Sequence, residues 1–184
     1  MKPYLLVAYN RMRFSLWRQF HCRGFAFASV ELLGRDTKLS FAKTSQVSFG
    51  GHLVSDGRLV IVAGQNARLT IGERTYFNEG AMLSCLEAVS IGSGCRFGPN
   101  VKVFDNDHRF SARNGVSQEH STAPVSIGDH CWLGANVTIL KGTHIGDNCV
   151  IGAGCVVKGI IPAGSLVTQS RALEIRPIRD EDLP

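Results

Sequence analysis

The chain has 184 residues, 44% of them hydrophobic and 19% charged, with a formal net charge of +5. That length is one domain's worth, and this mix of apolar and charged residues excludes a disordered chain. The surplus charge is confined to one end: residues 1–38 carry seven Lys or Arg against Glu31 and Asp36, and the rest balances thirteen against thirteen.

The first element is a helix from Lys2 to Phe20. Leu5, Tyr9, Met12, Leu16 and Phe20 follow three-and-four spacing, with Arg11, Arg13 and Arg18 mostly elsewhere. The apolar stripe is expected to cap the open end of the repeat that follows, because terminal coils must be covered to stay soluble. The alternative is a basic interfacial helix in peripheral contact with anionic lipid or a membrane-bound acceptor. Ala26-Phe27-Ala28 before Ser29 mimics a signal-peptidase site, but Arg11, Arg13, Arg18 and Arg23 break any apolar run of the required length. A cytoplasmic location is expected, with the inner face of the membrane left open by the helix.

The remainder is built on a period of six. Ile127, Leu133, Ile139, Ile145, Ile151 and Val157 share one register, with Gly following at 128, 134, 146 and 152. Six fits neither an amphipathic helix nor an alternating strand; it is the signature of a parallel β-helix with one aliphatic side chain per short face pointing into the bore. Walking backwards, Val103, Phe97 and Ile91 keep the register, a two-residue slip follows, and Leu83, Phe77 and Ile71 continue it. Leu59, Leu53 and Val47 extend it more weakly, with Gln65 a misfit. The chain is therefore divided into a basic helical cap segment at 1–38, a β-helix at 39–168 and a polar tail at 169–184. One excursion, at 109–124, lacks the periodicity; such loops commonly carry functional side chains on a rigid scaffold.

Cys95, Cys131, Cys149 and Cys155 each fall four residues after a register position, where a small side chain is wanted, and read as packing residues of the bore. Cys131 and Cys149, three hexads apart, should stack about 4.8 Å apart, in a geometry poorly aimed for a disulfide.

The run Phe97-Gly98-Pro99-Asn100-Val101, then Asp105-Asn106-Asp107-His108, a loop, and Ile127-Gly128-Asp129-His130-Cys131-Trp132-Leu133-Gly134-Ala135 resembles the hexapeptide-repeat acyltransferases. Within them it is most similar to the maltose, galactoside, nodulation-factor, colanic-acid and capsule O-acetyltransferases. The resemblance covers about two thirds of the chain. It implies an all-β, left-handed parallel β-helix with an N-terminal helix and one protruding loop, assembled as a homotrimer with active sites between subunits. Acetyl-CoA is implied as donor and a hydroxyl, most often on a sugar or oligosaccharide of a cell-surface polysaccharide, as acceptor. Neither a metal nor a nucleic-acid partner is expected.

The family's base lies eight residues after the Asn of Gly-Pro-Asn, which is His108 here. The chemistry asks for the same group: a hydroxyl attacking a thioester must lose its proton to something titrating near 7, and imidazole does. Asp105 or Asp107 is expected to hold its Nδ1 proton, Asp105 slightly preferred; His120, in the loop, is the rival base. Asn100 corresponds to the residue that contacts acceptor hydroxyls, or else is a corner residue tolerant of left-handed backbone. Trp132 is expected at the mouth of the donor channel and the N–H groups around Ala135 as oxyanion donors. The resemblance points to Ala153, Lys158 and Arg171 for the coenzyme, with Arg176 as a second phosphate partner. In place of the family's closing Gly-Asn-Pro-Ala, however, stand Gln169-Ser170-Arg171-Ala172.

No Cys or Ser sits in a convincing nucleophile setting beside a His, so direct transfer is expected over an acyl-enzyme. N-acetylation of an amino sugar or a serine-type acceptor uses the same geometry and stays open. A metal-dependent hydratase using His108, His120 and His130, or a silent scaffold, are the remaining readings.

Overall fold

A computed structural model describes residues 2–20, 24–28 and 30–169. His21, Arg171, Arg176 and the tail from 170 onward lie outside the described residues.

The chain winds around three parallel sheets, visiting each once per coil, in a left-handed sense. The first face has seven strands, starting at Phe25–Phe27 and ending at Ile160–Ile161; the second and third have six each. Gln46 pairs with Arg68, Arg68 with Ala88 and Ser126 with His144, so the coil shortens from 22 residues to 20 and then 18. Only the 18-residue coils are three clean hexads. The 20-residue coil is the slip between Leu83 and Ile91, and the 22-residue coils hold four-residue strands such as Gln46–Phe49 and Arg68–Ile71. Gln65 is an exposed corner residue, whereas Val47, Leu53 and Leu59 are buried. The hexad register therefore does not extend to Val47 as a period, although the residues that seemed to carry it do line the core.

Inside, side chains stack in columns one coil apart. Leu39, Ile61, Leu83, Val103, Ile139 and Val157 fill the third face's column, and Phe77, Phe97, Leu133 and Ile151 the second's; all are buried. The Phe77 and Phe97 rings lie 4.8 Å apart. Burying each such residue stabilises the fold by about 1.5–3 kcal/mol before chain entropy is charged against it. Cys85, Cys95, Cys131, Cys149 and Cys155 are buried and unbridged. The thiols of Cys95, Cys131 and Cys149 donate to the carbonyls of Gly128, Gly146 and Pro162 of the next coil, at 3.1, 3.2 and 3.1 Å.

The solenoid starts inside the segment expected to be only a cap: Phe25–Phe27 already pairs with Gln46–Phe49. The helix, Pro3–Phe20, does cover the open end, but with a different face. Phe14 and Trp17 enter an aromatic plug with Phe25, Phe27, Phe41 and Phe49; Phe14 stands 5.4 Å from Phe25 and Trp17 5.3 Å from Phe41. The wide first coil accepts rings that a narrower bore would refuse. An open coil edge also offers carbonyls without partners, and buried Asn10 answers them, its Nδ2 donating to the carbonyls of Glu31 and Leu33 at 3.1 and 2.9 Å. Leu5, Met12, Leu16 and Phe20, expected to face inward, are turned to the outside.

Glu31 is buried beneath this helix, where its Oε2 accepts the Leu53 N–H at 2.9 Å. Burial pushes its carboxyl from 4.5 up to about 8, against the opposing pull of that hydrogen bond. Between those values the folded chain keeps a proton that the unfolded chain releases, so stability is highest below about 4.5 and falls as pH rises through about 8. The melting temperature should fall between pH 5 and pH 8, by roughly 2–4 °C for each kcal/mol lost at this chain length, and Glu31→Gln should remove most of the fall. An equal fall in both proteins would place the titrating group elsewhere.

Candidate active site

The excursion is an antiparallel hairpin, Asn106–Ser111 paired with Gly115–Thr122, leaving the corner between the third and first faces. It opens at Asn106, three residues before the expected Arg109, so His108 lies within the paired strand. Asp105, at its root, is fully buried. Its carboxylate accepts the N–H groups of Leu86, Glu87 and Ala88 at 2.8, 2.7 and 2.8 Å, and the Asn106 amide at 2.9 Å. Four donors from the preceding coil and its neighbour thus fix where the hairpin leaves the solenoid.

This arrangement removes the role expected of Asp105, since its acceptors are engaged away from His108. Asp107 is engaged too, 3.2 Å from Lys141 Nζ. The reason is strand geometry: alternate residues point to opposite sides, so 105 and 107 share a side that 108 does not. His108 Nδ1 instead lies 3.2 Å from the Ser117 carbonyl across the hairpin. A carbonyl only accepts, so it selects the Nδ1–H tautomer and leaves the Nε2 lone pair available. His120 is paired directly opposite, its ring centroid 4.4 Å from that of His108. Both imidazoles are exposed.

The remaining expected residues gather elsewhere. Trp132 stands outward on the second face, in register between Arg96 and Val150. It borders a cavity of about 340 Å³, lined also by Tyr76, Arg96, Pro99 and Ala135. Asn100 turns the corner between the second and third faces with φ 59°, and its Nδ2 lies 3.3 Å from Asn136 Oδ1 one coil on. Its local role is that of a corner residue, with its side chain still exposed. Ala135 and Ala153 follow at the same corner in successive coils. A Cβ on Gly98 would come within 2.8 Å of the Ala135 nitrogen, and one on Gly134 within 2.7 Å of the Ala153 nitrogen. Close stacking of coils therefore accounts for the glycines there, before any ligand is considered. Lys158 is exposed at the corner from which the hairpin springs, one coil beyond Lys141.

The predicted set is thus divided. His108, Asp105, Asp107 and Lys158 belong to the third-to-first corner; Asn100, Ala135 and Ala153 to the second-to-third corner; Trp132 to the second face. On a three-sided coil the second face lies opposite the hairpin's corner, so a single chain does not join His108 to Trp132. His130, with φ 56°, turns the corner before the second face, apart from His108 and His120. Among the described residues no group of three or more His, Cys, Asp or Glu could hold a metal ion. The Ser117 carbonyl and Lys141 were not anticipated from sequence. Asn114-Gly115, with Gly115 at φ 67°, is a hairpin-turn signal that would have revealed the pairing, and with it the carbonyl facing His108.

Residues 124–158 match the family model described as the hexapeptide repeat of succinyl-transferase. Galactoside O-acetyltransferase of Escherichia coli is 32% identical over 116 residues, 63% of this chain and 57% of that protein. A putative lipopolysaccharide biosynthesis O-acetyl transferase of the same organism is 28% identical over 170 residues, 88% of this chain and 82% of that one. Among solved structures, a hexapeptide-repeat-containing acetyltransferase of Vibrio cholerae complexed with acetyl coenzyme A superimposes with a TM-score of 0.58 at 22% identity, covering 93% of this chain and 79% of that one. The chain spans just over half the length of the first curated relatives it matches.

Replacing Asp105 by Ala would leave three backbone N–H groups at 86–88 without their acceptor. Urea denaturation should record a loss of at least about 3 kcal/mol, at about 1–3 kcal/mol for each stranded group, with Asp105→Asn intermediate. A loss below about 1 kcal/mol would mean that water takes the carboxylate's place.

Proposed function

We propose that this chain, a member of the hexapeptide-repeat acetyltransferase family, transfers an acetyl group from acetyl-CoA to a hydroxyl of a sugar or oligosaccharide in cell-surface polysaccharide assembly, with His108 as general base. The observation that carries the reading is the His108 imidazole, whose Nδ1 faces the Ser117 carbonyl and whose Nε2 is left to accept a proton on an exposed hairpin. The galactoside and lipopolysaccharide O-acetyltransferase relatives supply the sugar hydroxyl as acceptor class.

Bound acetyl-CoA would supply a thioester carbonyl open to attack. The stacked small residues Ala135 and Ala153 offer a flat track for a slender pantetheine arm beside the groove bordered by Trp132, and Lys158 a cation for its phosphates. His108 takes the hydroxyl proton through Nε2 as the acceptor oxygen attacks. While it is charged, the Ser117 carbonyl keeps accepting from Nδ1 and so favours the imidazolium. His108 then returns the proton to the departing thiol, which leaves an ester and free coenzyme A. Asp105 acts on this chemistry only as a positioning residue, by holding the root of the hairpin.

Because His108 and the Trp132 groove lie on opposite sides of one coil, the reading requires a neighbouring copy to bring them together, and a homotrimer closes such a site three times. His108→Ala should fold, keep the wild-type mass in solution and lose a factor of about 10² to 10⁴ in turnover, followed as free-thiol release with a sugar acceptor. His120→Ala should chiefly raise the acceptor KM. Near-wild-type turnover without His108, or loss of kcat alone without His120, would transfer the role of base to His120.

A further inference from the structure

The N-terminal helix has two apolar faces. Phe14, Trp17 and Asn10 attach one of them to the first coil. On the other, Leu5, Met12, Leu16 and Phe20 recur at helical spacing and are exposed to between 48% and 65%. Cations border this outer stripe. Lys2 is exposed beside the stripe, and the guanidinium of exposed Arg35 lies 5.7 Å from the centre of the Tyr9 ring at its edge, whereas Arg11 and Arg18 lie on the arc nearer the first coil, Arg18 over the Phe27 ring at 5.8 Å. No Asp or Glu occurs before Glu31, so nothing acidic on the helix opposes them.

We propose that this outer face is a docking surface for an anionic lipid membrane, on which the helix lies parallel to the bilayer plane. The apolar stripe would enter the boundary between headgroups and acyl chains, and the flanking Lys and Arg would pair with lipid phosphates. Charge decides in favour of lipid. A second copy of this chain would set the same cations against themselves, at a cost that a phosphate surface turns into a gain. The helix lies on the membrane without crossing it, since among the described residues no helix is long and apolar enough to span one. Its inner face stays occupied by the first coil, so docking needs no unfolding of the cap. The proposal stands apart from the transferase reading, because vesicle binding does not depend on turnover.

The test is co-sedimentation of the full chain with vesicles of phosphatidylcholine alone and of phosphatidylcholine with about one third phosphatidylglycerol, with light scattering of the free protein beside it. The wild type should bind the anionic vesicles, bind the neutral ones weakly, and be released as salt rises from about 0.1 to 0.5 M. Met12→Glu with Leu16→Glu should lower the bound fraction at least about tenfold, with the same mass and circular dichroism as the wild type. Lys2→Glu with Arg35→Glu, which leaves the stripe intact, should weaken binding to anionic vesicles alone. Equal binding to both vesicle types, or to neither, overturns the proposal. So does a fall in solution mass in the double variant, which would assign the face to a second copy.

Discussion

Parallel hydrogen bonding between successive coils is the constraint on which the rest of this molecule depends. Neighbouring strands must lie about 4.8 Å apart, so each coil can differ from the last only in what it places at its corners and what it lets out. The corners show the cost. Asn66, Asn100, Asn136 and Asn148 take left-handed backbone, and a Cβ on Gly98 or Gly134 would run into the backbone of the next coil. The interior shows the gain, as columns of aliphatic and aromatic side chains repeat at that spacing from Leu39 to Val157.

That rigidity gives the hairpin its use. A two-stranded hairpin has little stability alone in water, and this one is exposed along nearly its whole length. Its root is held by a fully buried carboxylate accepting four hydrogen bonds. Order therefore passes from the coil through Asp105 to Asn106, and across the hairpin pairing to His108 and the carbonyl that faces it. A position one residue earlier or later on the strand would point away from Ser117 and His120.

The late coils were fully legible in the sequence because an 18-residue turn is three identical hexads. Earlier coils blurred: a 22-residue turn carries the same alternation along each strand with a different count between strands, so residues were assigned to the core correctly on a period that does not apply. The helix misled for another reason. Leu5, Met12, Leu16 and Phe20 make the more regular stripe, yet what the open coil needed was a pair of rings for a wide bore and an amide for orphan carbonyls, which Phe14, Trp17 and Asn10 supply. In the site, His108 was found through spacing to Asn100, whereas its hydrogen-bond partner depended on cross-strand pairing, invisible until the Asn114-Gly115 turn is recognised. Trp132 and His108 are close in neither sequence nor the single chain.

The most direct test of the account is calorimetric titration of acetyl-CoA into the wild-type protein and into His108→Ala. Micromolar binding to both, about −8 kcal/mol, is the expected result, because in the proposed mechanism the coil corners hold the donor and His108 acts only on the acceptor's proton. Absence of binding to either protein would contradict it, and would mean that the solenoid, with Gln169-Ser170-Arg171-Ala172 in place of the family's closing turn, serves a different ligand.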